Sequence, residues 1–267
     1  MRLFAIMLGL TACAGDVSQS GDDDDPPPPP DEISKTAVYL TPTQQLTRIS
    51  LALRGMRPSL ADLKAVDDDG AALPAIIDRY LTTPAFGETI KELHNETLLL
   101  RIEVPQFTYP DIGPLAGKTA RELNTGKFDE PLELIRDIVM TNQPYTKIVT
   151  ADYTMTNAVT AAMWGMTHTG AAEAWTRSQL PDARPRLGIL SSNAIYDRHR
   201  SAGANYHRGR ANFISTTLLC HDYLTSDIVI DTSVDLADPD VVANAVVANA
   251  SCAGCHQTLD PLASAAA

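Results

Sequence analysis

Leu73-Pro74-Ala75-Ile76-Ile77-Asp78-Arg79-Tyr80-Leu81 sets Leu73, Ile76, Ile77, Tyr80 and Leu81 at i, i+3, i+4, i+7 and i+8. That period lines one face of an α-helix with five apolar side chains and leaves Asp78 and Arg79 outside it. Working outward, the same grammar repeats. Toward the N-terminus, Thr41 is an N-cap with Pro42 at the first helical position and Gln44 at the capping-box position. Leu46, Ile49 and Leu53 follow on one face, and Gly55 stops the helix. A short helix beginning at Pro58 or Ser59 carries Leu60 and Leu63. Toward the C-terminus, Pro84 opens a helix with Phe86, Ile90, Leu93 and Leu100 directed inward.

Beyond residue 104 the punctuation changes. Val104 to Gly126 holds three prolines and three glycines and reads as irregular loop. Asp129 then caps a helix bearing Leu134, Ile135, Ile138 and Val139. Residues 145–185 mix loop and short helix, and His207 to Tyr223 predicts one more helix with Phe213, Ile214, Thr217 and Leu218 buried. Val241 to Ala250 is a small apolar segment. Nothing alternates strongly enough for a sheet, and Ile228 to Val234 is at most one strand. The expected fold class is mainly α, a helical multi-segment body with irregular loops. Its expected segments are 35–104 (N-terminal helices), 105–180 (loop-rich middle) and 181–267 (C-terminal helices).

The chemistry concentrates at the end of the chain, in Cys252-Ala253-Gly254-Cys255-His256. Two thiols at this spacing each add to a haem vinyl group, and the adjacent His is placed to ligate iron, so the pentapeptide predicts one covalent haem c on Cys252, Cys255 and His256. Two blander readings compete. The cysteines could form a redox disulfide, or half of a zinc site for which Cys220 and His221 offer the other pair.

The opposite end supplies a compartment. Met1 to Ala12 reads as a secretory leader, with Arg2 before an apolar run from Leu3 to Leu10 that is too short to span a bilayer. Leu10-Thr11-Ala12-Cys13 resembles a bacterial lipobox, which makes Cys13 the lipidated N-terminus and the anchor to a membrane. Ala14, standing where an Asp would suggest inner-membrane retention, points to the outer membrane. Residues 13–34 contain Asp22 to Asp25 and Pro26 to Pro30, a self-repelling, extended tether reaching roughly 60 Å. The formal net charge is −12 and turns more negative once Arg2 leaves with the leader. That balance argues against nucleic acid as a partner.

Several stretches together resemble a family of large secreted proteins of planctomycetes and myxobacteria, built from domains of unknown function with a planctomycete-type cytochrome c module. They are LTRISLALRGMRPSLADLKAV with IIDRYLTTPAFGETIKELHNETLLLR, PLELIRDIVMTNQPYTKIVTADYTMTN, and RLGILSSNAIYDRHRSAGANYHRGRANFISTTLLC with SCAGCHQTLDPLA. The third carries Arg186, Gly188, Ile189, Leu190, Arg208, Gly209, Leu218, Leu219 and Cys220, then Cys252, Cys255, His256, Asp260 and Pro261. The resemblance implies export and a haem module. In the family that module continues well past the Asp-Pro pair, whereas here Ala267 follows His256 by eleven residues. The expectation is therefore a truncated haem motif, or one whose pocket comes from the preceding helices, an arrangement similar to cytochrome c-prime.

Further candidates surround this motif. Met155, Met163, Met166 and His168 form a soft-ligand cluster from which Met163 or Met166 is the expected second iron ligand, the alternative being core filling. Arg184, Arg186, Arg198, His199, Arg200, His207, Arg208 and Arg210 crowd positive charge into an acidic chain. Arg208 and Arg186 are the preferred haem-propionate ligands, against a solvated face with local Asp partners. Cys220 is expected as a small hydrophobe on the apolar face of its helix. The functional expectation is electron transfer in the periplasm or at the cell surface, with an undefined redox partner protein. A haem-dependent, peroxidase-like oxidoreductase and a non-catalytic surface scaffold are the alternatives.

Overall fold

The computed structural model describes residues 37–101, 109–200, 207–223 and 231–265. Among them the chain is mainly α, with eleven α-helices and one two-stranded sheet. The described residues fall into two compact bodies, 37–195 in one and 196–265 in the other. The expected segments 35–104 and 105–180 thus share a body, and the division falls between Ile195 and Tyr196. The leader, Cys13 and the tether lie outside the described residues.

In the first body the caps form as the sequence dictates. Helix α1 (Pro42–Arg54) starts on a reciprocal capping box: Gln44 N donates to Thr41 Oγ1 at 3.2 Å, and Thr41 N donates to Gln44 Oε1 at 3.0 Å. It ends on Gly55 at φ 65°. Helices α2 (Leu60–Asp68) and α3 (Leu73–Tyr80) close against it around Leu46, Val66, Ile76 and Tyr80, each worth roughly 1.5–3 kcal/mol of burial. Tyr80 also donates to Asp62 Oδ2 at 2.7 Å, so its polar end is satisfied at the core margin.

Helix α4 (Pro84–Leu98) buries Phe86, Ile90 and Leu98, and Leu100 just beyond it is buried too. Leu93, expected inward, is 42 % exposed. The reason is a rotated face: Gly87 and Lys91 are buried instead, because Lys91 Nζ reaches Glu133 Oε1 at 2.6 Å and Gly87 admits the Arg136 side chain. A charge pair thereby decides which side of the helix turns in.

The expected loop at 104–126 is corrected over its last third. Thr119 and Glu122 form a second capping box that starts α5 (Ala120–Phe128). Gly126 sits inside this helix because α7 (Ala158–Trp164) passes so close that a Cβ there would lie 2.7 Å from Val159 Cγ1. Helix α6 (Glu130–Met140) buries Leu134, Ile135 and Ile138 as expected, with Val139 half-buried. Asp129 does not cap it. Its carboxylate accepts Arg101 Nε and Nη2 at 2.8 and 3.0 Å instead.

A sheet does form where none was expected. Strand β1 (Thr154–Thr156) pairs antiparallel with β2 (Thr176–Ser178), in the register Thr154↔Ser178 and Thr156↔Thr176. Three-residue strands are too short to show a period of two. Residues 231–234 of the suggested strand are turn, and the rest of that stretch lies outside the described residues.

The second body contains the end of α8 (Asn193–Arg198), then α9 (Arg208–Leu218), α10 (Pro239–Ala248) and α11 (Ala250–Ala265). Helix α9 buries Phe213 and Ile214 and stops at Leu218, short of the expected Tyr223. Cys220 follows at φ 54° and is exposed, so it is not the buried hydrophobe expected. The apolar segment at 241–250 is α10, started by Asp238, whose carboxylate accepts from Asp240 N and Val241 N at 2.9 and 3.3 Å.

Candidate functional site

Helix α11 carries the whole CxxCH motif in its first two turns. Cys252 and Cys255 are spaced i, i+3, and Cys252 and His256 i, i+4, so the two thiols and the imidazole share one side of the helix. Both thiols are free and half-buried. They are not joined to each other, so the redox-disulfide expectation does not describe this state. No group of three or more His, Cys, Asp or Glu suited to a metal ion occurs among the described residues, which leaves the zinc reading without its second pair.

One turn beyond His256 on the same face stands Asp260. His256 Nδ1 lies 3.0 Å from Asp260 Oδ1. A carboxylate can only accept, so Nδ1 is the donor in this contact. Nε2 makes no hydrogen bond among the described residues. Asp260 is itself clamped from the neighbouring helix: Arg208 Nε and Nη2, at the start of α9, donate to Oδ1 and Oδ2 at 2.6 and 2.9 Å. Those two bonds first, and His256 after them, hold the Asp260 carboxyl down to about 2. Arg208 is thus beside the motif, as its selection as a propionate ligand required, but two of its donors point at Asp260.

Adjacent to this face lies an open cleft of about 470 Å³ lined by His221, Tyr223, Gly254, Cys255 and Thr258. Tyr223 donates to Thr258 Oγ1 at 2.9 Å, tying the loop after α9 to α11. His221 packs edge-on against Tyr223 with ring centroids 4.5 Å apart, while its backbone is held by Ser215 through both N–H and carbonyl. Cys255 therefore lies between the motif face and the cleft.

The other expected site residues belong to the first body. Arg186 Nη2 donates to the carbonyls of Leu180 and Asp182, both at 3.0 Å. Met155 is buried in β1, and both ring nitrogens of His168 are engaged, by the Ala171 carbonyl and Thr176 Oγ1. Met163, in the last turn of α7, and Met166, just beyond the helix, are half-buried. Among the described residues of the second body the remaining histidines are His199, His207 and His221, and there is no Met. Among the basic cluster, Arg184 and Arg200 have the local acidic partners Asp182 and Asp197.

Sequence reasoning missed the role of Asp260 and the cleft position of His221. The first was signalled by the i, i+4 spacing of His256 and Asp260, which is informative only once 250–265 is taken as helix. No family model, curated protein or solved structure matches the chain.

Free thiols at a one-turn spacing and a His whose Nε2 makes no hydrogen bond among the described residues are the groups that covalent haem attachment would use. No helix of the described residues is long and apolar enough to cross a membrane.

Proposed function

We propose that the chain is an exported c-type cytochrome-like protein that carries one haem on Cys252 and Cys255, with His256 as axial ligand, and transfers electrons. The observation carrying this reading is the shared face of α11: two free thiols, and an imidazole whose Nδ1 is tied to Asp260 so that Nε2 is presented. Haem supplies the one-electron chemistry when bound. The chain's own residues attach it, orient the axial nitrogen and set the charge around it. The lipobox-like Leu10-Thr11-Ala12-Cys13 and the acidic, Pro-rich 13–34 segment support an anchored, outward-facing location, with lipid on Cys13 as the membrane partner. The sequence stretches described above support kinship with the planctomycete and myxobacterial secreted proteins.

A haem-dependent oxidoreductase is the second reading, favoured by the open cleft at Cys255 with His221 and Tyr223 on its wall. Carbon monoxide or cyanide binding to the folded, haem-loaded chain selects it, and a haem that refuses both ligands selects the carrier.

The test is expression with a c-type maturation system and a pyridine haemochrome spectrum. A c-type α-band on the parent chain, lost in the Cys252→Ala/Cys255→Ala double variant, is expected. Absence of covalent haem from the parent overturns the proposal.

A further inference from the structure

We propose that Asp260 and Arg208 are a matched pair of positioning residues that tune His256 in opposite directions. Asp260 makes His256 a stronger electron donor, and Arg208 restrains Asp260. This inference rests on the haem reading above.

The geometry has three links in line. His256 Nδ1–H points at Asp260 Oδ1, and both carboxylate oxygens are held by the Arg208 guanidinium. A carboxylate accepting the distal N–H of a ligating imidazole pulls that proton toward itself and raises the basicity of the other nitrogen. A more basic axial nitrogen stabilises the oxidised metal and lowers the reduction potential, which makes hydrogen bonding behind the ligand one of the levers a protein has on haem. A two-point guanidinium contact works against this. It draws charge off the same carboxylate and leaves Oδ1 shared between Arg208 Nε and His256 Nδ1. His256 consequently feels a restrained carboxylate, intermediate between a bare anion and a neutral amide.

The competing role for these residues is mechanical. Arg208 stands at the start of α9 and Asp260 in the middle of α11, so the pair also staples the two helices. A staple is weakened by removing either end. Tuning gives shifts of opposite sign, and that difference separates the two.

The experiment uses the full chain matured with haem in its parent form and as Asp260→Asn, Arg208→Gln and Asp260→Glu. Midpoint potentials are read by spectroelectrochemistry, and thermal melts by circular dichroism. Asp260→Asn is expected to move the potential positive, because the anion behind His256 is gone. Arg208→Gln is expected to move it negative, because the anion is released, and Asp260→Glu is expected to return it toward the parent. Both melts fall in Asp260→Asn and Arg208→Gln whichever role holds, so the melts do not substitute for the potentials. Shifts of the same sign in Asp260→Asn and Arg208→Gln, or no shift in either, overturn the proposal while covalent haem stands. A parent chain without a c-type α-band overturns the haem reading and this inference with it, and is seen before any variant is compared.

Discussion

Arg208 and Asp260, fifty-two positions apart in sequence, meet in a two-point guanidinium–carboxylate contact at 2.6 and 2.9 Å, and the same carboxylate faces the His of the CxxCH motif at 3.0 Å. The pair brings the start of α9 to the one helix that holds both thiols. Its consequence is that the His256 ring is held through Nδ1 by a carboxylate that is itself fixed from α9.

Cys252 and Cys255 are half-buried free thiols on a helix bordering an open cleft, so both are expected to alkylate in the folded, haem-free chain. Peptide mapping after iodoacetamide treatment under native conditions reads this directly. Labelling at both positions is the expected result, and protection of both in a folded chain contradicts the free state described.

Glu130 in the first body is fully buried and accepts Thr154 Oγ1 at 2.7 Å and Ser192 Oγ at 2.9 Å. Burial outweighs those bonds and pushes its carboxyl up to about 7 from an ordinary 4.5. A folded-state value above the unfolded one gives stability that is complete below pH 4.5 and is lost as pH rises through 7. The Glu130 contribution falls by about 3 kcal/mol across that window. Urea melts at pH 4 and pH 8 are expected to differ by that much more in the parent than in Glu130→Gln. Equal pH dependence in the two proteins contradicts it.

Lys91 is buried against Glu133 at 2.6 Å, with Glu88 at 3.0 Å and Asp129 at 3.6 Å. Lys91→Met leaves Glu133 with only the partly exposed Arg136 for a counter-charge. The expected loss is about 3 kcal/mol, because an unpaired buried charge costs more than the pair contributed. The Lys91→Met/Glu133→Leu double variant is expected to recover much of it. A double-mutant cycle by denaturant melts checks the coupling, and simple additivity counts against it.

Gly188 adopts φ +56°, and a Cβ there would fall on the Ile148 carbonyl. Both the left-handed backbone and the contact exclude a side chain, so Gly188→Ala is expected to cost about 3 kcal/mol or more. A melt within 0.5 kcal/mol of the parent's, roughly the effect of a harmless surface change, contradicts that placement.

The N-terminal helices were readable because their signals are local: a cap, a stripe of apolar residues and a stop lie within one window, as from Thr41 to Gly55. Helix α5 was hidden by the glycines and prolines around it, although Thr119 and Glu122 carried the same box as Thr41 and Gln44. The rotation of α4 was not legible, because it depends on Glu133, forty-two positions from Lys91. The candidate site divides the same way. Cys252, Cys255 and His256 stand out by adjacency, and Asp260 follows from helical spacing once the helix is granted. Arg208 was selected for its charge and its place in the family-like stretch, yet its partner could be found only in three dimensions. Met163 and Met166 were selected by residue type, and Arg186 by its charge and its place in the family-like stretch; all three belong to the first body, while the motif belongs to the second.

The most direct test of the central claim is the intact mass of the denatured chain after expression with c-type maturation. A mass increase of one haem in the parent, and none in Cys252→Ala/Cys255→Ala, is the predicted result. A parent chain at its polypeptide mass, folded and with both thiols still titratable, contradicts it.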